Sequence, residues 1–268
     1  MFFPKKFNPK KIKVCNTKES RKRFKSSKNK NLRFLLEKRF LWMKNYLKGK
    51  KNIVELGSGN GACKDILKNK NIILTDIQKY PWISKKVDMN QLRLDNKYKK
   101  KVDVFIINQA LHHCANPKRL LEKLNIYLKD GGFILINEPE ISFFLKFFLY
   151  FLDDEAWSLE VNIFNGKKNI FNPNSVWDAN NATATLLFED ENKFHINFTN
   201  YSIIKNELSE FFIFINSGGV VQKTFYIPVN RFFFNLLHFI DRLLISLFPK
   251  IFALGRTVVL QKKSQKII

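Results

Sequence analysis

Short apolar runs alternate with stretches of helical periodicity through the middle of this chain. Residues 31–48 place Leu32, Leu35, Leu36, Phe40, Trp42, Met43, Tyr46 and Leu47 near helical spacing, which predicts one helix leading into the fold. From 52 to 138, strand-like runs at 52–56, 71–75, 86–88, 102–108 and 132–137 are separated by helical segments. Each run is short and apolar, as suits a parallel strand covered by helices on both sides. The helix expected over 117–129 opens on Asn116-Pro117, a cap followed by proline in the first turn, and stops at Asp130-Gly131-Gly132. This alternation predicts an open parallel α/β sheet with ligands at the carboxyl ends of its strands.

The rhythm breaks at 139–217. A very aromatic helical stretch, 141–152, precedes an Asn-rich loop, a helix-like 178–188, a strand-like 194–204 and a helix-like 206–216. Strand-like 220–227 and 256–262 then flank an amphipathic stretch, 230–248. The expected organisation is a mobile basic arm over 1–30, a ligand-binding core over 31–138 and an acceptor-side insert over 139–217. Residues 218–268 complete the core with strands and the amphipathic helix.

Composition sharpens this picture. The 268 residues are 45% hydrophobic and 26% charged, enough for one sizeable core. The net charge of +24 suits acidic surroundings, either nucleic acid or an anionic membrane surface. Abundant Lys, Asn, Ile and Phe also fit A/T-rich coding as its origin. The three cysteines, Cys15, Cys63 and Cys114, are odd in number and unpaired in spacing, so a reduced, cytoplasmic compartment is expected. No His/Cys/Asp cluster shows metal-ligand spacing, and no metal is expected. The N-terminal segment lacks an apolar signal region, and no stretch offers 18 uncharged apolar residues to cross a bilayer.

The chemistry concentrates in Ile53-Val54-Glu55-Leu56-Gly57-Ser58-Gly59-Asn60-Gly61-Ala62. A strand ends beside an acid, glycines at alternate positions make a tight turn, and a helix begins. Similar loops bind nicotinamide cofactors at the spacing G-x-G-x-x-G. The Glu55 carboxylate argues against one, because it would oppose a pyrophosphate and suit a positively charged ammonium and sulfonium. Asp76 ends the second strand, where an acid accepts both hydroxyls of a ribose. Asp88-Met89 follows the third run, where a carboxylate can accept from an adenine amino group and a thioether can pack on the ring.

The order E-L-G-S-G-N-G, Asp76-Ile77, Asp88-Met89, Asn108-Gln109-Ala110-Leu111-His112-His113 and Leu128-Lys129-Asp130-Gly131-Gly132 resembles the class I S-adenosylmethionine-dependent methyltransferases, and within them the small-molecule type often called type 11. The resemblance covers 50–138 and implies a Rossmann-like, seven-stranded, mostly parallel sheet with helices on both faces and an α+β insert after the fifth strand. It implies S-adenosylmethionine as cofactor. Glu55, Gly57, Ser58, Gly59, Asn60 and Gly61 would lie at its methionine end, Asp76 and Ile77 at the ribose, and Asp88 and Met89 at the adenine. Asn108 and Leu111 would lie beneath the transferring methyl. The Asn/Asp-Pro-Pro-Tyr tetrad of enzymes that methylate planar nitrogens is replaced by Asn108-Gln109-Ala110-Leu111. Asn137-Glu138-Pro139, the Phe-rich helix and Asp178-Ala179-Asn180-Asn181-Ala182-Thr183 resemble a bacterial subgroup often linked to surface-glycan assembly.

A hydroxyl acceptor needs its proton removed, so His112 and His113 after the fourth strand and Glu138 after the fifth are the candidate catalytic groups. His195 and His238 read as structural, and Cys63 has no readable partner for nucleophilic work. The stretch 230–248 carries a polar stripe of Asn235, His238, Asp241, Arg242 and Ser246 against Phe, Leu and Ile. Burial against the sheet is the usual fate of such an apolar face; a membrane interface is the alternative. The reading is therefore a methyltransferase for a small-molecule or lipid-linked acceptor, at oxygen, in glycan or lipid biosynthesis. Peripheral contact with the inner membrane face goes with it. An RNA methyltransferase and a non-catalytic cofactor-binding or membrane-peripheral protein are the alternatives.

Overall fold

A computed structural model describes residues 16–26, 28–152, 155–166, 168–170, 172, 175, 177–220 and 223–264. The strands are β1 (Ile53–Leu56), β2 (Ile72–Asp76), β3 (Lys85–Lys86), β4 (Val102–Asn108), β5 (Leu128–Pro139), β6 (Tyr201–Ser209) and β7 (Gly255–Lys262). The helices are α1 (Thr17–Lys25), α2 (Lys30–Leu41), α3 (Lys44–Leu47), α4 (Ala62–Leu67), α5 (Pro117–Tyr127), α6 (Phe143–Leu152), α7 (Thr183–Phe188), α8 (Glu191–Asn197), α9 (Phe212–Ile215), α10 (Arg231–Leu247) and α11 (Pro249–Phe252).

The strands form one sheet in the order β3-β2-β1-β4-β5-β7-β6. The neighbours from β3 to β5 pair parallel, and β7 pairs antiparallel with both β5 and β6. The mostly parallel, seven-stranded Rossmann-like sheet is thus as expected. Alternation along each strand separates two cores. Val54, Leu56, Phe105, Ile107, Ile134 and Ile136 pack under α5, α7 and α8. Ile53, Val104, Ile106 and Leu135 pack under α2 and α4 on the other face. The chain reverses direction of growth between β1 and β4, which opens a crevice at their carboxyl ends.

Several boundaries differ from the sequence reading. Residues 17–25 of the expected mobile arm are helix α1, capped by Asn16 and anchored through buried Thr17, Ser20 and Phe24; residues 1–15 lie outside the described residues. The helix α5 stops at Tyr127 and β5 starts at Leu128, with Gly131 and Gly132 inside the strand near a register shift against β4. Within 194–204, residues up to Asn197 are helix, because the Asp190 side chain accepts from the Lys193 N–H and caps α8. The segment 206–216 begins as β6, paired to β7 as far as Ser209, and only α9 is helical. The expected strand 220–227 does not form among the described residues. Val229 N–H instead donates to Asn31. The expected insert 139–217 contains β6, so its last part belongs to the sheet.

The helix α10 turns its stripe of Phe234, Asp241 and Ile245 inward and leaves Phe232, Phe233, Leu236, Phe239, Leu243 and Leu247 exposed. Asp241 is drawn inward because its carboxylate accepts from the N–H groups of Phe211, Phe212 and Ile213 at the start of α9. The expected burial of the apolar face is therefore partial, with Phe234 and Ile245 packed inward and the flanking apolar side chains exposed. No helix among the described residues is long and apolar enough to cross a membrane.

Candidate cofactor and acceptor site

The turn after β1 takes backbone shapes that its glycines permit. Gly57 has φ +67°, and a Cβ there would lie 2.5 Å from the Ala110 Cβ. The β1 turn and the loop after β4 therefore touch through bare backbone. At Gly61, φ +70°, a Cβ would meet Trp82 at 2.8 Å and Arg21 at 2.9 Å. Gly59 N–H donates to Asp76 Oδ2 at 2.9 Å, which fixes the acid that ends β2 beside the turn. Asp76 Oδ1 accepts from Gln78 N–H at 2.9 Å, and Ile77 between them is half-buried.

Not every predicted contact is available to a ligand. The Ser58 hydroxyl accepts from Thr75 N–H at 3.1 Å, so it ties β1 to β2. Asn60 Oδ1 accepts from Ala62 N–H and its amide donates to Ser20, which binds the turn to α1. The Leu111 side chain is fully buried in the core beneath β4, and its N–H donates to Glu138. Asp88 accepts from Asn90 N–H at 2.8 Å, while Met89 approaches the space over Gly57 to 3.6 Å from a Cβ there.

Two further groups close this end, and the sequence reading missed both. Trp82 Nε1–H donates to the Gly59 carbonyl at 2.8 Å and stacks on Tyr80 at 5.0 Å. The Arg21 guanidinium sits 4.5 Å above the Trp82 ring and donates to the Asn60 carbonyl at 2.5 Å. The aromatic pair in 80–82 was a readable signal; the arm's arginine was hidden in a basic run.

Two buried acceptors fit a cationic adenosyl ligand. Glu55 is 2% exposed, and its Oε2 has no hydrogen-bond partner among the described residues. Burial pushes its carboxyl up to about 8, against hydrogen bonds from Ser58 and Cys63. The Asn108 Oδ1, at the end of β4, is likewise buried without a partner among the described residues. Orphaned acceptors beside a bare backbone cradle fit an ammonium-bearing cofactor. Burial pushes the Cys63 thiol well above its ordinary value, so it is no nucleophile.

The acceptor side is built around the loop after β4. Gln109 takes φ +53°, and its N–H donates to the Asn137 carbonyl at 2.7 Å. Glu138, fully buried, accepts from the N–H groups of Ala110, Leu111 and His112. Its Oε2 lies 2.5 Å from His112 Nδ1. On the far side of the same ring, His112 Nε2 faces Glu155 Oε2 at 3.4 Å. His113 Nδ1 lies 2.9 Å from the Asp178 carbonyl, and His113 Nε2 faces Glu155 Oε1 at 3.6 Å. Asn181 donates to Glu155 Oε2 at 3.1 Å.

The structure thus joins the three predicted catalytic residues, which adjacent positions seldom allow, and adds Glu155. Burial alone would push His112 down, but the Glu138 and Glu155 carboxylates outweigh it and raise it to about 10. Burial and then the His112 charge push His113 down. His195 lies on α8, outside this cluster. His238, on α10, is pushed down by burial.

The comparisons agree with this architecture. Residues 22–211 match the family model described as a methyltransferase domain, more than two thirds of the chain. No curated protein matches. An S-adenosylmethionine-dependent methyltransferase from Archaeoglobus fulgidus is similar at 17% identity and TM-score 0.53, over 86% of this chain and 94% of that one. One from Methanosarcina mazei is similar at 14% identity and TM-score 0.45, over 84% and 99%. The plantazolicin methyltransferase BpumL, in complex with S-adenosylhomocysteine (SAH), is similar at 15% identity and TM-score 0.45, over 92% and 90%. With its glycine turn, terminal aspartate and strand order in place, the chain belongs to the methyltransferase-domain family and is a class I S-adenosylmethionine-dependent methyltransferase.

Proposed function

We propose that this enzyme methylates a hydroxyl of a small-molecule or lipid-linked acceptor in glycan or lipid biosynthesis, working against an anionic membrane surface. The observation that carries the reading is the pairing of His112 and His113 about Glu155, on a loop whose Ala110 meets the glycine turn. Bound at that turn, the cofactor supplies an electrophilic methyl group on a sulfonium. Glu55 and Asn108 would hold its amino acid end, Asp76 its ribose, and Met89 its adenine. Glu138 fixes the loop through three N–H groups and holds the His112 ring. His113 takes the acceptor's proton.

Lipid contact is supported by α10, where Phe232 is 71%, Phe239 64% and Leu247 60% exposed. Arg231, Arg242 and Lys250 lie on or beside it, within a chain of net charge +24. That arrangement suits the cytoplasmic leaflet. The charge also favours RNA as a second acceptor.

Methyl-tritiated S-adenosylmethionine and fractionated cell extract test the proposal. Label is expected in the organic-soluble or saccharide fraction, stable to alkali as an ether, and reduced at least about 100-fold by His113→Ala. Label only in RNA would establish the alternative.

A further inference from the structure

The two histidines and Glu155 are arranged as donors around a shared point. One ring nitrogen of each histidine and a Glu155 oxygen all lie within 4.8 Å of one another. His112 Nε2 is 3.4 Å from Glu155 Oε2, and His113 Nε2 is 3.6 Å from Glu155 Oε1. Tetrahedral zinc with bonds of about 2.1 Å separates its ligand atoms by about 3.4 Å.

Tautomers support the same conclusion. Both Nδ1 atoms face pure acceptors, the Glu138 carboxylate and the Asp178 carbonyl. Each Nδ1 therefore carries a hydrogen, so either ring, when neutral, presents its Nε2 lone pair to Glu155. Lone pairs aimed at a carboxylate repel unless a cation lies between them. Three donors converging on one point suit a divalent metal better than a proton, which only one of them can hold.

The surrounding groups are those that orient metal ligands. A carboxylate behind one histidine and a backbone carbonyl behind the other fix the ring planes. Asn181 orients the third ligand by donating to Glu155 Oε2 at 3.1 Å. Asn180 N–H donates to the His112 carbonyl at 2.9 Å and closes the segment 178–181 around the pair. The donors come from two distant stretches of chain, so their spacing in sequence showed nothing.

We infer that His112, His113 and Glu155 form a binding site for a divalent transition metal of the zinc class, with a fourth position open to an acceptor oxygen. What occupies that fourth position rests on the hydroxyl-transfer reading above; the metal itself does not. A hydroxyl coordinated there loses its proton to solvent at lower pH than when free. Its oxygen then bonds to the methyl carbon as the carbon–sulfur bond breaks, and the electron pair returns to sulfur as a neutral thioether. His113 is then a ligand, and the proton that it takes in the metal-free chain goes to water.

The test is titration of the chelator-treated full chain with cobalt(II) chloride and then zinc chloride, with SAH binding measured on the same samples. One equivalent of cobalt is expected to give the intense visible band of a four-coordinate site, displaced by zinc. His113→Ala and Glu155→Gln are each expected to weaken uptake at least about 100-fold while SAH still binds. Absence of uptake in protein that binds SAH would overturn the site, as would uptake unchanged by both variants. Should either variant lose SAH binding, X-ray absorption of the zinc-loaded unaltered chain decides. A nitrogen and oxygen shell at about 2.0–2.1 Å is expected, and a sulfur shell at about 2.3 Å would refute it. Failure of SAH binding in the unaltered chain would instead count against the cofactor site.

Discussion

Glu55 carries a pH dependence that can be worked out in sign. Burial, opposed by hydrogen bonds from Ser58 and Cys63, holds its carboxyl at about 8 in the cofactor-free fold, against 4.5 as its ordinary value. The folded chain therefore binds a proton that the unfolded chain releases. This stability is complete below about 4.5 and is lost as pH rises through about 8. A cofactor ammonium beside Glu55 favours the ionised form, so binding near pH 7 should release a proton. Calorimetry in two buffers of different ionisation enthalpy should show different heats, and Glu55→Gln should abolish the difference. That variant should also bind the cofactor about tenfold or more weakly, the value of a charged hydrogen bond of about 1.5–3 kcal/mol. At Gly57, alanine would bring two Cβ atoms to 2.5 Å at φ +67°. Gly57→Ala should cost at least about 1–2 kcal/mol of stability and nearly all SAH affinity, read by thermal melts with and without SAH. Glu55, the glycines and Asp76 were legible because each sits at a fixed offset from one strand. Glu155 was not, since only folding brings it to His112 from a stretch with no motif.

At the level of elements, helix propensity and capping decided where periodicity misled. Phe194, Ile196 and Phe198 alternate like a strand, yet Ile196 is 78% exposed and Asp190 starts a helix there. Likewise α1 is rich in Lys and Arg, which marks solvated chain, but buried Phe24 and Ser20 fix it to the core. Its Arg21 clamps the Asn60 carbonyl over Trp82. Arg21→Ala should therefore weaken SAH binding several-fold and lower the melting temperature by about 2–6 °C, since a cation–π contact and one hydrogen bond are worth about 1–2 kcal/mol. Equilibrium dialysis checks the affinity. The order β1 to β5 was legible from apolar runs that both cores require. The strand β6 was not, because its half-buried positions (Ser202, Ile203 and Asn206 among them) show no clean alternation.

For the whole molecule, sheet and charge act together. One edge of the fold carries α10 with six of its apolar side chains exposed, Phe232, Phe233, Leu236, Phe239, Leu243 and Leu247, while the basic surplus is spread over the chain. Replacing Phe239 and Leu243 with aspartate should abolish flotation with anionic vesicles and leave the melting temperature within about 2 °C, since both side chains are more than half exposed. Raised salt should weaken flotation of the unaltered chain.

The strand order has a consequence for biosynthesis. The strand β7 lies between β5 and β6 yet follows both in sequence, so neither has its antiparallel partner until residues 255–262 leave the ribosome. Until then the nascent chain displays the open edge of β5 together with the phenylalanines of α6 and α10. Capture of that edge by chaperones or by the bilayer must compete with the late arrival of β7.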